Sequence, residues 1–159
     1  MKSNLFYGII ILLSFTLMSS MCSSDDMDNS NNSLLITEVE NLAMSGSWRI
    51  SSYIDSGQDE TNDFNGYTFT FDNDGSLTAK IGSDEVIGTW SVTDSSNSQD
   101  DSNSNNDLDF NISFLVSSSN ILDELIDDWD IVSHNDNTIS LIDVSGGNGG
   151  TDTLVFTKN

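Results

Sequence analysis

Few side chains in this sequence are equipped for chemistry, and their spacing limits what they can do. There is one cysteine, Cys22, and one histidine, His134, set among 26 acidic and only 4 basic residues. A zinc or copper site draws on several thiolate or imidazole ligands. One of each, more than a hundred residues apart, supplies no such set, so no metal and no cofactor is expected. A nucleophilic triad holds its histidine between a hydroxyl or thiol and an orienting acid. His134 stands instead in Ser133-His134-Asn135, at a predicted strand end, and reads as a solvated turn residue. No catalytic residue is identifiable, and the sequence is not read as an enzyme.

Carboxylates are too common here for any pair to stand out. Asp72-Asn73-Asp74-Gly75 has the look of a calcium loop, but its glycine comes early and no glutamate follows at the required offset. A hairpin turn accounts for it. Glycosidases with paired carboxylates set their acids on a larger concave scaffold. Ile121, Leu122, Leu125 and Ile126 predict a short one-sided helix, which would place Asp123 with Asp127, and Glu124 with Asp128, at i,i+4. Each like-charge pair costs a few tenths of a kcal/mol. Screening by salt relieves that cost, as would a bound divalent cation.

The setting of Cys22 is more specific. Lys2 and the apolar run Leu5 to Met18 have the order of a signal peptide, and the run is shorter than the roughly 20 residues of a spanning helix. Ser19-Ser20-Met21-Cys22 resembles a bacterial lipobox, which implies cleavage before Cys22 and a lipid on its sulfur. Ordinary signal cleavage and an uncleaved anchor are the alternatives. Ser24, Asp25 and Asp26 resemble the acidic export signal of surface lipoproteins in Bacteroidota. The resemblance implies an outer-membrane, lipid-anchored location at the cell surface or the inner leaflet. With the thiol committed to lipid, no disulfide is available, and stability must come from a hydrophobic core.

The formal net charge of −22 excludes nucleic acid, whose phosphates must be met by lysine and arginine. It also disfavours docking on anionic lipid, leaving attachment to the anchor. A soluble monomer is expected. Composition divides the chain into a signal peptide over 1–21, an acidic disordered tether with a short helix over 22–41, and a domain over 42–159 with a polar loop at 94–107. Thr37 and Glu40 have the form of a capping box for that helix, with Leu35, Val39 and Leu42 at helical spacing.

From Trp48 onward the hydrophobic period changes to two. Trp48 and Ile50 begin it, followed by Tyr67, Phe69 and Phe71, then Leu77, Ala79 and Ile81, then Val86, Gly88, Trp90 and Val92. Leu108 to Val116 gives the cleanest alternation, and Trp129 with Ile131, Ile139 with Leu141, and Leu154 with Phe156 complete eight runs. Alternation of this kind means one buried and one wet face. Turn residues such as Asn73-Asp74-Gly75 separate the runs. The expected fold is all-β, an eight-stranded antiparallel meander β-barrel with one or two short helices, because closure removes exposed edges. A sandwich is the alternative.

Gly46-Ser47-Trp48-Arg49 and Gly88-Thr89-Trp90 resemble the Gly-x-Trp motif of lipocalins. Together with Tyr67-Thr68-Phe69-Thr70-Phe71, Asp74-Gly75 and the late Trp129, the pattern is similar to the lipocalin-like lipoproteins of Bacteroidota. The resemblance implies that Gly46 and Trp48 form the barrel base, with the tryptophan under a basic residue, for which Lys158 is the late candidate. An eight-stranded barrel is either filled by side chains or holds one small ligand. The bulky inward set (Trp48, Tyr67, Phe69, Phe71, Trp90, Phe110, Phe114 and Trp129) predicts a filled one, each aromatic burying roughly 150–250 Å². The end near Tyr53 and Trp129 is the place a small ligand would enter. The expected role is interaction or structure at an envelope surface, with a partner there. The alternative is a carrier of a small apolar ligand.

Overall fold

Each of the eight alternating runs forms a strand in the computed structural model, which describes residues 26–94, 108–144 and 150–159. The strands are β1 (Ser47–Asp55), β3 (Tyr67–Phe71), β4 (Ser76–Ile81), β5 (Asp84–Asp94), β6 (Leu108–Phe114), β7 (Asp127–Asn135), β8 (Thr138–Val144) and β9 (Thr151–Lys158). A two-residue strand, β2 (Gln58–Asp59), adds a short hairpin to β1. The eight long strands pair antiparallel in chain order, β1 directly with β3, and β9 returns to pair with β1 from Trp48↔Lys158 to Ile54↔Thr153. The sheet is therefore a closed eight-stranded barrel, and closure leaves no long strand edge among the described residues for another chain to join.

Alternation puts the apolar set inside. Trp48, Phe69, Phe71, Leu77, Trp90, Phe110, Trp129, Leu141, Leu154 and Phe156 are buried, and no polar or charged side chain among the described residues is. Tyr67 alone of the predicted inward aromatics is only half-buried. Bulges between Ile50 and Ser52 in β1 and between Ile131 and Ser133 in β7 break the period. A bulge opposes two residues to one and re-aims the side chains beyond it. In β1 it lets Tyr53 point inward after Trp48 and Ile50. Phe71 lies edge-on to Trp90, Phe110 and Phe156, with centroids 5.2, 5.4 and 5.5 Å away. Contacts of this geometry add about 0.5–1.5 kcal/mol each beyond the area they bury.

Gly88 belongs to this wall for want of space. A Cβ there would lie 2.3 Å from the Ser113 carbonyl oxygen and 2.5 Å from a Phe114 ring carbon.

The helices depart from expectation. The first, α1, spans Asp26–Ala43, so it begins well before the Thr37 capping box and takes in residues assigned to the tether. Thr37 is mid-helix, and its hydroxyl donates to the Ser33 carbonyl at 3.0 Å, the i−4 bond such residues make inside helices. The physical reason is tertiary. Val39 and Ala43 are buried and Leu35, Ile36, Leu42 and Met44 pack against the core. Packing on that face supplies the costly nucleus, and the helix then extends toward Asp26 through residues of poor helix propensity. Asn32 also ties it to the barrel, donating to Asp94 Oδ2 at 3.1 Å.

The second predicted helix is a 3-10 turn, Ile121–Leu125, whose entry is fixed by Asn120 accepting from the Leu122 amide at 2.9 Å. Asp127 and Asp128 fall in β7 instead, so the expected i,i+4 carboxylate pairs do not form. A further 3-10 turn, Thr61–Phe64, lies between β2 and β3. No helix among the described residues is long and apolar enough to cross a membrane.

Candidate functional site

The residues with chemical potential gather at the two ends of the barrel and along one outer wall. At the first end α1 lies across the opening. Trp48 is fully buried, and its indole Nε1 donates to the Ala43 carbonyl at 2.8 Å. Lys158 Nζ sits 5.6 Å above the Trp48 ring, within the range of a cation–π contact. Gly46 leaves room for the lysine stem, since a Cβ there would meet Lys158 Cε at 2.8 Å. Gly46, Trp48 and Lys158 thus come together as one packed unit.

A surface cleft runs between α1 and the β7–β8 hairpin, lined among others by Glu38, Ser45, His134, Asp136 and Lys158. Lys158 Nζ donates to Ser45 Oγ at 2.7 Å, and that hydroxyl donates in turn to the Leu42 carbonyl. A nucleophilic serine needs the reverse, a base that accepts its proton. In this geometry the lysine is a donor. His134 lines the same cleft, half-buried.

The opposite end, where the sequence places an opening, is closed. Tyr53 and Trp129 are buried, with centroids 6.5 Å apart. Phe64 lies edge-on to Tyr53 at 5.2 Å, and Leu122 and Leu125 of the 3-10 turn are fully buried. The buried polar handles find backbone carbonyls. Tyr53 OH donates to the Glu124 carbonyl at 3.0 Å and Trp129 Nε1 to that of Leu125 at 3.1 Å.

This end is ringed by acids. Asp55, Glu60 and Glu124 bring one carboxylate oxygen each to within 4.8 Å of one another. Among the described residues this is the set that could offer ligand atoms to one metal ion, although exposed acids adopt such spacings without one. Burial, and then the charges of Glu124, Asp55, Asp152 and Glu60, push the Tyr53 phenol well above its ordinary range. Glu124 is itself raised, by partial burial and then by Glu60, Asp55, Asp123 and Asp152. Asp74, in the calcium-loop look-alike, is held below the usual carboxylate range by hydrogen bonds from Ser76. Its Oδ1 accepts both the Ser76 amide and hydroxyl, as a hairpin turn would have it.

On the outer wall, a cleft over β5, β6 and β7 is lined by Thr89, Ser91, Asn111, Ser113, Asp127 and Asp128, among others. The Asp127 carboxyl is pushed up to about 6, first by burial, then by its hydrogen-bonded neighbour Asp128 and the charge of Asp143.

Phe64, Asp55, Glu60 and Asp152 were not legible as a group, since they come from separate elements of a chain full of acids. The one usable signal was Phe64, a lone aromatic in the polar stretch from Gln58 to Asn65. Cys22, Ser24 and Asp25 lie outside the described residues, as do residues 95–107 of the polar loop. Asp26 opens α1.

No protein-family model and no curated protein sequence matches the chain. Among solved structures, a DUF4847 family protein from Bacteroides vulgatus ATCC 8482 is similar, at 18% identity and a TM-score of 0.47, over 76% of this chain and 97% of that one.

Proposed function

We propose that this chain is a lipid-anchored outer-membrane lipoprotein whose lipocalin-like barrel serves an interaction or structural role through its outer face. One observation carries the reading of the barrel. Its axis is occupied by its own aromatics, and both ends are shut by buried side chains. What such a domain presents to a partner is its exterior. There Ile87 and Leu115 stand exposed, flanking the paired Gly88 and Phe114, next to the hydroxyl-rich face of β5 and β6. The anchor rests on Lys2, the run Leu5 to Met18, and Cys22 with the acids just after it.

The test of the anchor is metabolic labelling with a palmitate analogue in a bacterium that expresses the full chain. Incorporation that Cys22→Ser abolishes supports the reading, and a wild-type chain that takes up no label contradicts it. Protease treatment of intact cells then decides between the surface and the inner leaflet.

A further inference from the structure

The barrel wall changes partners along β1. Strand β3 pairs with β1 only through Ser47↔Thr70 and Trp48↔Phe69. Further along, β1 pairs with β2 through Ile54↔Asp59 and Asp55↔Gln58. The chain from Gly57 to Gly66 therefore spans the end of the barrel as a separate piece, outside the continuous ladder that runs from β3 round to β9.

Three features set this piece apart. Its ends are Gly57 at φ +86° and Gly66 at φ +90°, backbone states that glycine enters freely and other residues do not. Between them Phe64 alone is buried, while Gln58, Asp59, Asn62, Asp63 and Asn65 are exposed. Its hydrogen bonds to the barrel reach β1, and its ring contacts reach β1 and the start of β3. Phe64 lies against Tyr53 and, at 6.5 Å, Tyr67. Thr61 Oγ1 accepts from the Tyr53 amide at 2.8 Å, and the Glu60 amide donates to the Tyr53 carbonyl at 3.0 Å.

The same piece carries a force against closure. Glu60 meets Asp55 of β1 and Glu124 of the Ile121–Leu125 turn, their oxygens within 4.8 Å. Asp152 of β9 and Asp123 add to the negative field at Glu124. Like charges this close repel, and salt weakens the repulsion.

We propose that residues 57–66 form a hinged strap across this end of the barrel. Phe64 pins it, the Glu60, Asp55 and Glu124 carboxylates oppose it, and it lifts as a unit while the barrel stays folded. Lifting uncovers the Tyr53 and Tyr67 rings that Phe64 covers. The inference rests on the geometry of this end alone and is independent of the lipid anchor.

Residue-resolved amide hydrogen exchange by NMR on the mature chain tests it, at low salt and in about 0.5 M sodium chloride. The reporters are the two amides whose bonds join the strap to β1, Glu60 to the Tyr53 carbonyl and Tyr53 to Thr61 Oγ1, and those of Trp90 and Lys158 in the barrel. Opening of the strap alone predicts exchange at Glu60 and Tyr53 at least about tenfold faster than at the barrel pair. Salt should slow the strap amides several-fold relative to the barrel pair, and Glu60→Gln should do the same at position 53. Strap amides that exchange at the barrel rate, or that respond to neither salt nor Glu60→Gln, would overturn the proposal. The salt comparison uses the unaltered protein, so it stands even where a variant folds poorly.

Discussion

At the α1 end of the barrel, an 18-residue helix covers the opening and its backbone receives the Trp48 indole. A lysine above the ring adds a favourable charge. At the strap end, two single 3-10 turns do the covering, and the carbonyls of Glu124 and Leu125 receive Tyr53 and Trp129. The local chemistry is shared, since each end buries aromatics that bring a polar handle and gives the handle a carbonyl. The electrostatics are opposite. Charge supports closure where Lys158 sits and resists it where Asp55, Glu60 and Glu124 meet. The contrast teaches that one filled barrel can have a fixed end and an end held shut by packing against repulsion.

The largest test of that contrast is Trp48→Ala, which should cost about 3–5 kcal/mol in urea unfolding, because a fully enclosed ring leaves a cavity. Phe64→Ala should cost less, at most about 3 kcal/mol, because a released strap leaves no enclosed void. Equal costs would break the distinction between the two ends. Gly88→Ala tests the wall between them and should cost about 1–3 kcal/mol through overpacking against Ser113 and Phe114. A melting temperature unchanged from wild type would mean that the wall relaxes there.

Acid should stabilise the fold through Asp127 on the outer wall and Glu124 at the strap end. Asp127 titrates near 6 in the folded chain against an ordinary 3.8. Its contribution is therefore fully present below about pH 4 and is lost as pH rises through 6. Because the group is about half exposed, the size is on the order of 1 kcal/mol. Glu124 acts in the same direction. Urea midpoints should fall between about pH 4.5 and pH 7, and Asp127→Asn should flatten that slope. A wild-type midpoint that rises over this interval would contradict the assignment. The smallest effect is expected at the other end, where Lys158→Met should cost about 0.5–1 kcal/mol for the cation–π contact. A loss matching that of Trp48→Ala would mean that the lysine, and not the ring, holds that end.

The barrel was legible because a strand with one wet face writes its period into the sequence, from Tyr67 to Phe71 as clearly as from Leu108 to Phe114. Trp48 and Gly46 were legible as a motif, and Lys158 as the one late cation available to it. The rest was hidden for separate reasons. Residues 26–33 are mostly polar and have poor helix propensity, so only packing further along could make them helical. The strap has no period at all, because one aromatic pins it. Asp127 and Asp128 read as helical until the 3-10 turn ends at Leu125 and β7 takes them. The acidic ring assembles from β1, the strap, the Ile121–Leu125 turn and β9, and no local pattern announces such a meeting.

The central claim is that this barrel is filled by its own side chains and works through its exterior. Native mass spectrometry of the protein, purified gently from cells that express the full chain, tests it most directly. The predicted result is the covalent mass of the chain, with whatever acyl groups Cys22 is proposed to carry, and no non-covalent ligand bound. A stoichiometric apolar molecule that survives purification, and leaves when the protein is denatured, would contradict it.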